Sequence, residues 1–257
     1  MRRTRILSLS IACGCLSTLA GCDALDQGGS LMYVFSTHHA TPEDGIFPNR
    51  GGDLQPRVFE NDMGWTVTLL ESYITIDSIT IVGCDGHGYP LNMFWGPCPE
   101  DLRGEDLETL TVAGRKLPSG DYCGLQVTYG PYQMPMIDDG ADTRHSIPQN
   151  QAVDGTTAYF RGGASNSTTM EDPIEFELRT EAGRVLMLDL SEAENGKPVH
   201  IDRHEDFPKE LTISKTYDRF FDGVQFDDFD EEELEGEIDE ILADQTKVQE
   251  GVIVEID

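Results

Sequence analysis

Alternating hydrophobic and polar positions indicate that most of this chain forms β-strands. The clearest pattern covers Trp65–Val82, where apolar residues recur at every second position, as in a strand with one buried face. The phase of the alternation changes within Leu69–Ile74 and again within Ile76–Ile79. Because a one-residue shift turns apolar side chains to the other face, the pattern predicts bulges or a kink at both places.

Further segments share this strand character, and long loops rich in Gly and Pro separate them. The predicted strands are Leu31–Thr37, Tyr122–Tyr129, Thr157–Arg161, Ile174–Thr180, Arg184–Leu190 and Glu210–Thr216, with Val252–Ile256 as a last short strand. The long loops are Pro42–Pro56, Gly83–Gly104, Gly130–Asp154 and Glu192–Pro208. This organisation favours a mostly β fold, an immunoglobulin-like or prealbumin-like β-sandwich with long loops, over a helical or α/β fold.

One helix is predicted near the C-terminus, at about residues 230–243. Asp230 is a candidate N-cap, and Glu233 follows at the spacing of a capping box. Apolar residues then recur at helical spacing and form one face, which consists of Leu234, Ile238, Ile241 and Leu242. Residues 220–246 include 12 acidic residues and no Lys or Arg, so we expect an acidic helix.

The first 22 residues have the organisation of a bacterial export signal. Three Arg precede the apolar stretch Ile6–Leu19, which is shorter than the roughly 20 residues that span a bilayer. The stretch ends in Leu19-Ala-Gly-Cys22, which resembles a lipobox, in which the Cys is acylated and becomes the mature N-terminus. The alternative is an ordinary secretory signal in which Cys22 stays unmodified.

The predicted organisation has three parts. Residues 1–21 are the signal peptide, residues 22–30 are the lipidated Cys22 with a flexible tether, and residues 31–257 are a single β-sandwich domain with its C-terminal helix. We expect the protein in the bacterial cell envelope, lipid-anchored to the outer membrane or to the periplasmic face of the inner membrane.

Charge narrows the range of partners. Without its signal the chain has 15 Lys and Arg against 48 Asp and Glu, a formal charge of −33. Nucleic acid and anionic lipid surfaces are therefore excluded as charge-driven partners. We expect attachment to the membrane through the lipid, and a protein partner in the envelope stays open.

Export places three cysteines, Cys84, Cys98 and Cys123, in an oxidising compartment, where one disulfide is expected. Three pairings are open, each with one thiol left over. Cys84 and Cys98 bracket a loop rich in Gly and Pro, and we favour that pair, with Cys123 as the free thiol. A metal site that uses all three is an alternative.

Catalytic motifs are absent from the sequence. It contains no Gly-x-Ser-x-Gly, no Walker loop and no Cys-x-x-Cys pair. His200 and His204 are four residues apart, but no Glu adjoins either one within the motif, so a zinc-hydrolase helix is rejected. We therefore expect a protein that is not an enzyme, although a hydrolase with a site assembled from scattered loops is an alternative.

Soft metal ligands occur in two long loops. Met134, Met136 and His145 lie in one loop, and His87 lies in the other. Thioether and imidazole groups together suit copper, which makes these four residues the candidate ligands. His38 and His39, at the end of the first predicted strand, are further candidates from another loop. Otherwise no cofactor is expected.

Three segments resemble bacterial exported proteins. Gly64–Val82 and Leu117–Val127 are similar to segments of exported β-sandwich lipoproteins, and Phe220-Phe-Asp-Gly-Val224 is similar to a segment of the MbnP-like periplasmic proteins, which are linked to copper and methanobactin. The resemblance implies a sandwich fold and favours copper. The metal ligands of that family do not match residue by residue in this sequence, so the resemblance leaves the activity open.

Together these observations predict a lipid-anchored, non-catalytic cell-envelope protein that acts in binding or structural association. A periplasmic copper-binding protein of the MbnP-like type is the first alternative, and a hydrolase is the second. The long loops of the sandwich are expected to carry the specificity in each case.

Overall fold

Strands dominate the computed structural model, which describes residues 29–48, 54–134, 148, 150–166, 172–191, 196–202 and 207–251. The strands are β1 (Gly29–His39), β2 (Arg57–Glu60), β3 (Trp65–Gly83), β4 (Gly88–Pro90), β5 (Asn92–Met93), β6 (Cys98–Asp101), β7 (Leu110–Pro118), β8 (Gly120–Tyr129), β9 (Ala158–Asn166), β10 (Ile174–Thr180), β11 (Arg184–Asp189), β12 (Val199–Ile201), β13 (Lys209–Thr216) and β14 (Thr246–Glu250). The helix α1 covers Glu231–Gln245, and short 3-10 helices cover Gln151–Val153, Tyr217–Arg219 and Phe226–Asp228.

The first sheet has five strands in the order β14-β13-β1-β7-β5. Its central strand, β1, is parallel to β13 and antiparallel to β7. Side chains of β1 alternate between two faces, and those at Met32 and Val34 are fully buried between the sheets. Because β1 lies in the middle of this sheet, the first described residue, Gly29, is already part of the folded domain.

The second sheet has nine strands and is organised around the long strand β3. Its main path is β10-β9-β3-β8-β11, while β2, β4 and β6 also pair with β3 and β12 pairs with β8. The register of β3 shifts between Leu69 and Glu71 against β9, and between Ile76 and Ser78 against β8. The two irregularities predicted from the phase changes are therefore confirmed, within one continuous strand.

Apolar side chains from both sheets meet in one core. Met32, Val34 and Leu211 from the first sheet belong to the same buried cluster as Ile79 and Leu125 from the second. The prediction of a mostly β sandwich is confirmed by this arrangement. The turn between β7 and β8, which contains only Ser119, links the two sheets at the end where β1 begins.

The acidic helix closes one side of the sandwich. The Asp230 carboxylate accepts hydrogen bonds from the backbone N–H groups of Glu232 and Glu233, as predicted for an N-cap. Leu234, Ile238 and Leu242 are buried in the core, and α1 packs against β10. The predicted helix and its apolar face are thus confirmed.

Several strands have no clear signal in the sequence. The clearest case is β7, in which Gly114, Arg115 and Lys116 interrupt the apolar alternation, yet the segment pairs with β1 along nearly its whole length. The short strands β4, β5 and β6 lie in the segment predicted as the loop Gly83–Gly104. Backbone pairing to long neighbouring strands, rather than local pattern, forms these elements.

One predicted boundary also differs, and one predicted strand lies outside the described residues. The first strand begins at Gly29, so the last two residues of the predicted tether belong to β1. The last described strand, β14, follows directly after α1, while the predicted strand Val252–Ile256 lies outside the described residues.

Candidate functional site

A cluster of polar and charged side chains lies between the two sheets, where apolar residues would be expected. Each member is at most 7% exposed. We call it the buried polar cluster, and it consists of Ser36, His38, Arg57, Glu100, Asp106 and Lys215. Because an uncompensated buried charge is strongly unfavourable, its pairing determines what the cluster can do.

Strand register brings one half of the cluster together. Ser36 and His38 continue the inward-facing series of Met32 and Val34 along β1. On the parallel neighbour β13, Lys215 pairs with His38 and so shares its face of the sheet. From the opposite sheet, Glu100 on β6 reaches all three side chains.

Glu100 is the centre of this half. The Lys215 Nζ donates to Glu100 Oε2 at 2.7 Å and to Ser36 Oγ at 2.7 Å. Ser36 Oγ also donates to Glu100 Oε2, and His38 Nδ1 lies 2.8 Å from Glu100 Oε1. Both carboxylate oxygens therefore have partners, as a charge removed from water requires.

The ion pair shifts the pKa of both partners toward their charged forms. Burial alone would raise the pKa of Glu100, but the Lys215 ammonium and His38 lower it to about 2. Burial alone would lower the pKa of Lys215, but Glu100 raises it above its ordinary value. At neutral pH the pair is thus a carboxylate and an ammonium, which hold β6 and β13 together.

The second half of the cluster is organised by Arg57. Its Nη2 lies 3.2 Å from Asp106 Oδ1, its Nε donates to Leu102 O at 2.6 Å, and its guanidinium stacks over the Tyr217 ring at 5.3 Å. The Tyr217 hydroxyl lies 3.3 Å from Asp106 Oδ2. Burial raises the pKa of Asp106 even though Arg57 opposes the shift. His38 Nε2, 3.4 Å from Arg57 Nη2, joins the two halves.

The contact between Ser36 and Lys215 has the geometry of a nucleophile beside a base. Nucleophilic catalysis needs a base that can accept the hydroxyl proton, and a substrate that can reach the hydroxyl. Lys215 is instead a protonated partner of Glu100, and neither Ser36 nor Lys215 is more than 1% exposed. The arrangement therefore favours a structural link between the sheets over acyl transfer.

No motif in the sequence pointed to this cluster. Its signal is weak but readable: Ser36 and His38 follow Met32 and Val34 in the same phase, and Lys215 follows Leu211 and Ile213 in the same way. A polar residue in phase with a buried stripe needs a partner inside the protein. The sequence does not show which partner, because Glu100 comes from the other sheet.

Of the four predicted copper ligands, the structure describes His87 and Met134, and it places them at different points of the second sheet. His87 follows the end of β3 at Gly83 and stacks against Tyr89, whereas Met134 packs against the buried cluster that includes Tyr73, near the middle of β3. About ten residues of strand, or ~30 Å, separate the two places, so His87 and Met134 cannot share one ion. Met136 and His145 lie outside the described residues, and a copper site that Met134 forms with them stays a prediction.

The other histidines in the described ranges make contacts within the protein. His38 belongs to the buried polar cluster, and His39 Nδ1 lies 2.8 Å from Ala40 O, with its pKa lowered by burial. His200, on β12, lies between Asp121 and Asp202 at the surface. Within the described ranges, no three His, Cys, Asp or Glu side chains are arranged to hold a metal ion.

The favoured disulfide pairing is wrong. Cys84 pairs with Cys123, with the Cα atoms 4.9 Å apart, and Cys98 is the free thiol. Cys84 directly follows β3 and Cys123 lies on the adjacent strand β8, whose register brings the two together. Cys98 instead lies in the core on β6, where burial raises the pKa of its thiol to about 12. The metal site built from three cysteines is excluded by the same pairing.

The signal, the lipobox and Cys22 lie outside the described residues. Among the residues that are described, no helix has the length and apolar character needed to cross a membrane.

Comparisons with known proteins add one structural likeness. Neither a protein-family model nor a curated protein sequence matches the chain. A solved structure, MbnP from Methylosinus trichosporium, aligns over 86% of this chain and 99% of its own length, with 12% identity and a TM-score of 0.43. At this level of similarity, functional inference has to come from the residues of this chain.

Proposed function

We propose that this protein is a lipid-anchored, non-catalytic component of the bacterial cell envelope that acts in binding or structural association. The observation that carries this proposal is the lipobox-like ending Leu19-Ala-Gly-Cys22 of the export signal, and the fold is compatible with an anchor there because of the position of Gly29. The central strand of the five-stranded sheet begins there, and the side chain of Ser30 is already buried. A lipid on Cys22 would therefore hold the whole sandwich directly rather than through a separate domain.

The length of the tether limits how far the domain extends from the membrane. Cys22 precedes Gly29 by seven residues, and a fully extended segment of that length spans at most ~25 Å. A sandwich tethered in this way stays close to the lipid surface. Two or three acyl chains on one Cys would give stable anchoring, whereas one chain would bind only marginally.

The chemistry of the interior supports a role without catalysis. Among the described residues, Ser36 and Lys215 come nearest to a nucleophile beside a base. Both are buried, and Lys215 forms an ion pair with Glu100. A buried cluster of this kind specifies which strands meet, and mutation of its members should change folding stability rather than a reaction rate. The specificity of a binding protein would instead depend on its exposed loops.

Anchoring is tested by the mass of the N-terminal peptide and by labelling with radioactive palmitate in a bacterial host that processes lipoproteins. We expect labelled protein in the membrane fraction for the wild type and loss of label for Cys22→Ala. Cys98→Ala is the matched control, since it removes a buried cysteine and should keep the label. Equal labelling of wild type and Cys22→Ala would refute the anchor.

The non-catalytic role is tested with a broad panel of ester, amide and phosphoester substrates. We expect no turnover above that of a heat-denatured sample. Turnover that is lost in Ser36→Ala, in a variant that remains folded, would instead establish the hydrolase alternative.

A further inference from the structure

An apolar patch lies on the outer face of the five-stranded sheet, the face turned away from the core. Leu31 is 43% exposed, Phe94 is 45% exposed and Trp95 is 58% exposed. We call this the outer patch, and it consists of Leu31, Tyr33 and Phe94, with the exposed Trp95 next to Phe94 in the chain. Large apolar side chains grouped at a surface in this way commonly mark an interaction site.

The patch is formed by specific contacts between neighbouring strands. Tyr33 on β1 pairs with Gly114 on β7, and the Tyr33 and Phe94 rings lie 6.2 Å apart over that glycine. A Cβ at position 114 would lie 2.7 Å from Tyr33 and 2.9 Å from Phe94, so only glycine leaves room for both rings. The Phe94 N–H donates to Val112 O at 3.0 Å, which fixes the segment that carries Phe94 and Trp95 along the sheet edge.

The patch is close to the point where the chain enters the domain. Leu31 follows Gly29 by two residues, and Cys22 lies within the ~25 Å that the tether can span. Phe207, which is 79% exposed, is held at the same end because its carbonyl accepts a hydrogen bond from Ser30 Oγ at 2.8 Å. The residues nearest the anchor thus include some of the most exposed apolar side chains of the described protein.

A lysine and a glutamate on neighbouring strands lie beside the outer patch. Lys116 pairs with Leu31 across the strands and shares its face. Glu210, opposite Tyr33 on β13, is the acid that borders the patch. The acidic helix α1 packs against β10 and β13, and β1 and β7 separate β13 from the β5 edge that carries Phe94 and Trp95.

We infer that the outer patch lies in the headgroup region of the bilayer that holds Cys22, so that the sandwich rests on the membrane instead of moving freely on its tether. Tyr and Trp favour this depth, where an apolar ring and a polar group are both accommodated. Lys116 adds attraction to anionic headgroups that the chain as a whole lacks. This inference rests on the proposed lipid anchor at Cys22.

The two tryptophans of the chain provide a direct test. Trp95 is exposed and directly follows Phe94 of the patch, whereas Trp65 is 4% exposed and its Nε1 donates to Gln225. The full-length lipidated protein is reconstituted into phosphatidylcholine and phosphatidylglycerol vesicles with brominated acyl chains, which quench indoles at the membrane. We expect quenching that is absent in Trp95→Phe and about twofold weaker in Leu31→Ser, whose patch has lost one apolar side chain.

The matched control is Val185→Ser, which removes a 59% exposed apolar residue from β11 in the other sheet. This variant should be quenched as strongly as the wild type, and its urea midpoint and that of Leu31→Ser should match the wild type. Vesicle-bound protein with an acylated Cys22 but no greater quenching at Trp95 than at Trp65 would overturn the patch inference alone. A Cys22 peptide without acyl mass would overturn the anchor, and the patch inference with it.

Discussion

One end of each face of β1 departs from the usual distribution of apolar residues inside and polar residues outside. The inward face ends in Ser36 and His38, which are polar and buried, while the outward face begins with Leu31 and Tyr33, which are apolar and lie at the surface. Inside, Ser36 and His38 both have a partner on another strand, Glu100 on β6. Outside, apolar side chains face solvent close to the lipid attachment site that we propose.

The comparison shows that burial by itself does not assign a role to a residue. The polar groups inside contribute to specifying which strands meet, because each is stable only beside its own partner. The apolar groups outside contribute little to the folded domain alone and gain stability only when something covers them. Inner positions should therefore govern stability and outer positions should govern association.

The largest effect is expected from removing one member of the inner ion pair. Lys215→Ala leaves the Glu100 carboxylate buried without its ammonium partner and should lower the free energy of unfolding by about 3–5 kcal/mol. Urea denaturation followed by circular dichroism measures the change. Lys247→Ala, an exposed lysine on β14, is the control and should stay within about 0.5 kcal/mol of wild type. Equal effects for the two lysines would contradict the structural role of the cluster.

Adjacent residues of β1 provide a direct comparison of its two faces. Met32→Ala empties a fully buried position and should cost about 2–4 kcal/mol, whereas Leu31→Ala should change stability by less than about 0.5 kcal/mol. The same urea experiment, on protein without vesicles, measures both variants. If Leu31→Ala were as destabilising as Met32→Ala, the outer face would be part of the core.

Low pH should reduce the stability that the Glu100–Lys215 ion pair contributes on the inner face of β1. The pKa of Glu100 is lowered to about 2 from an ordinary value of 4.5, so its contribution is present above about pH 4.5 and is lost as pH falls toward 2. Replacement of the pair by Glu100→Leu with Lys215→Met should flatten this acid dependence, and it should lower neutral stability because the buried Ser36 and His38 lose Glu100 as their partner. Urea midpoints between pH 2 and 6 measure the slope. Both proteins share the lowered pKa of His39, so the difference between the slopes isolates Glu100. Parallel slopes in both proteins would contradict the assignment to Glu100.

A smaller stability effect than that of Lys215→Ala or Met32→Ala is expected from Gly114→Ala on the outer face. Gly114→Ala places a Cβ against Tyr33 and Phe94, and it should cost about 1 kcal/mol and shift the emission of Trp95 as the rings are displaced. Gly236→Ala is the matched control, because a Cβ added at this position of α1 would meet nothing within 4 Å, and it should raise stability by up to about 1 kcal/mol. Unchanged Trp95 emission in Gly114→Ala would show that the glycine does not hold the rings in place.

Patterns within one strand or helix were predictable. The alternation along Trp65–Val82 predicted β3 and both of its irregularities, and Asp230 with its apolar face predicted α1. These signals are local because the side-chain period of a strand or helix is fixed by its backbone. β7 was not predicted, because its own sequence alternates poorly. It forms a strand through its backbone pairing with β1.

Contacts between strands were not predictable in the same way. Sequence spacing favoured Cys84 with Cys98, whereas the register of β3 against β8 joined Cys84 to Cys123. The loop residues His87 and Met134 shared a ligand chemistry, but the length of β3 keeps them apart. Spacing along a chain says little about distance once strands from two sheets are packed together.

By itself the sequence determined a mostly β chain with an acidic C-terminal helix and predicted an N-terminal lipid anchor, because periodicity, capping and export signals are properties of contiguous residues. Only the tertiary structure decided that Glu100 meets Lys215, that Cys84 meets Cys123 and that Tyr33 and Phe94 share the space above Gly114. The physical reason is that each of these contacts joins residues from different strands, and strand register, which no single segment contains, determines their separation.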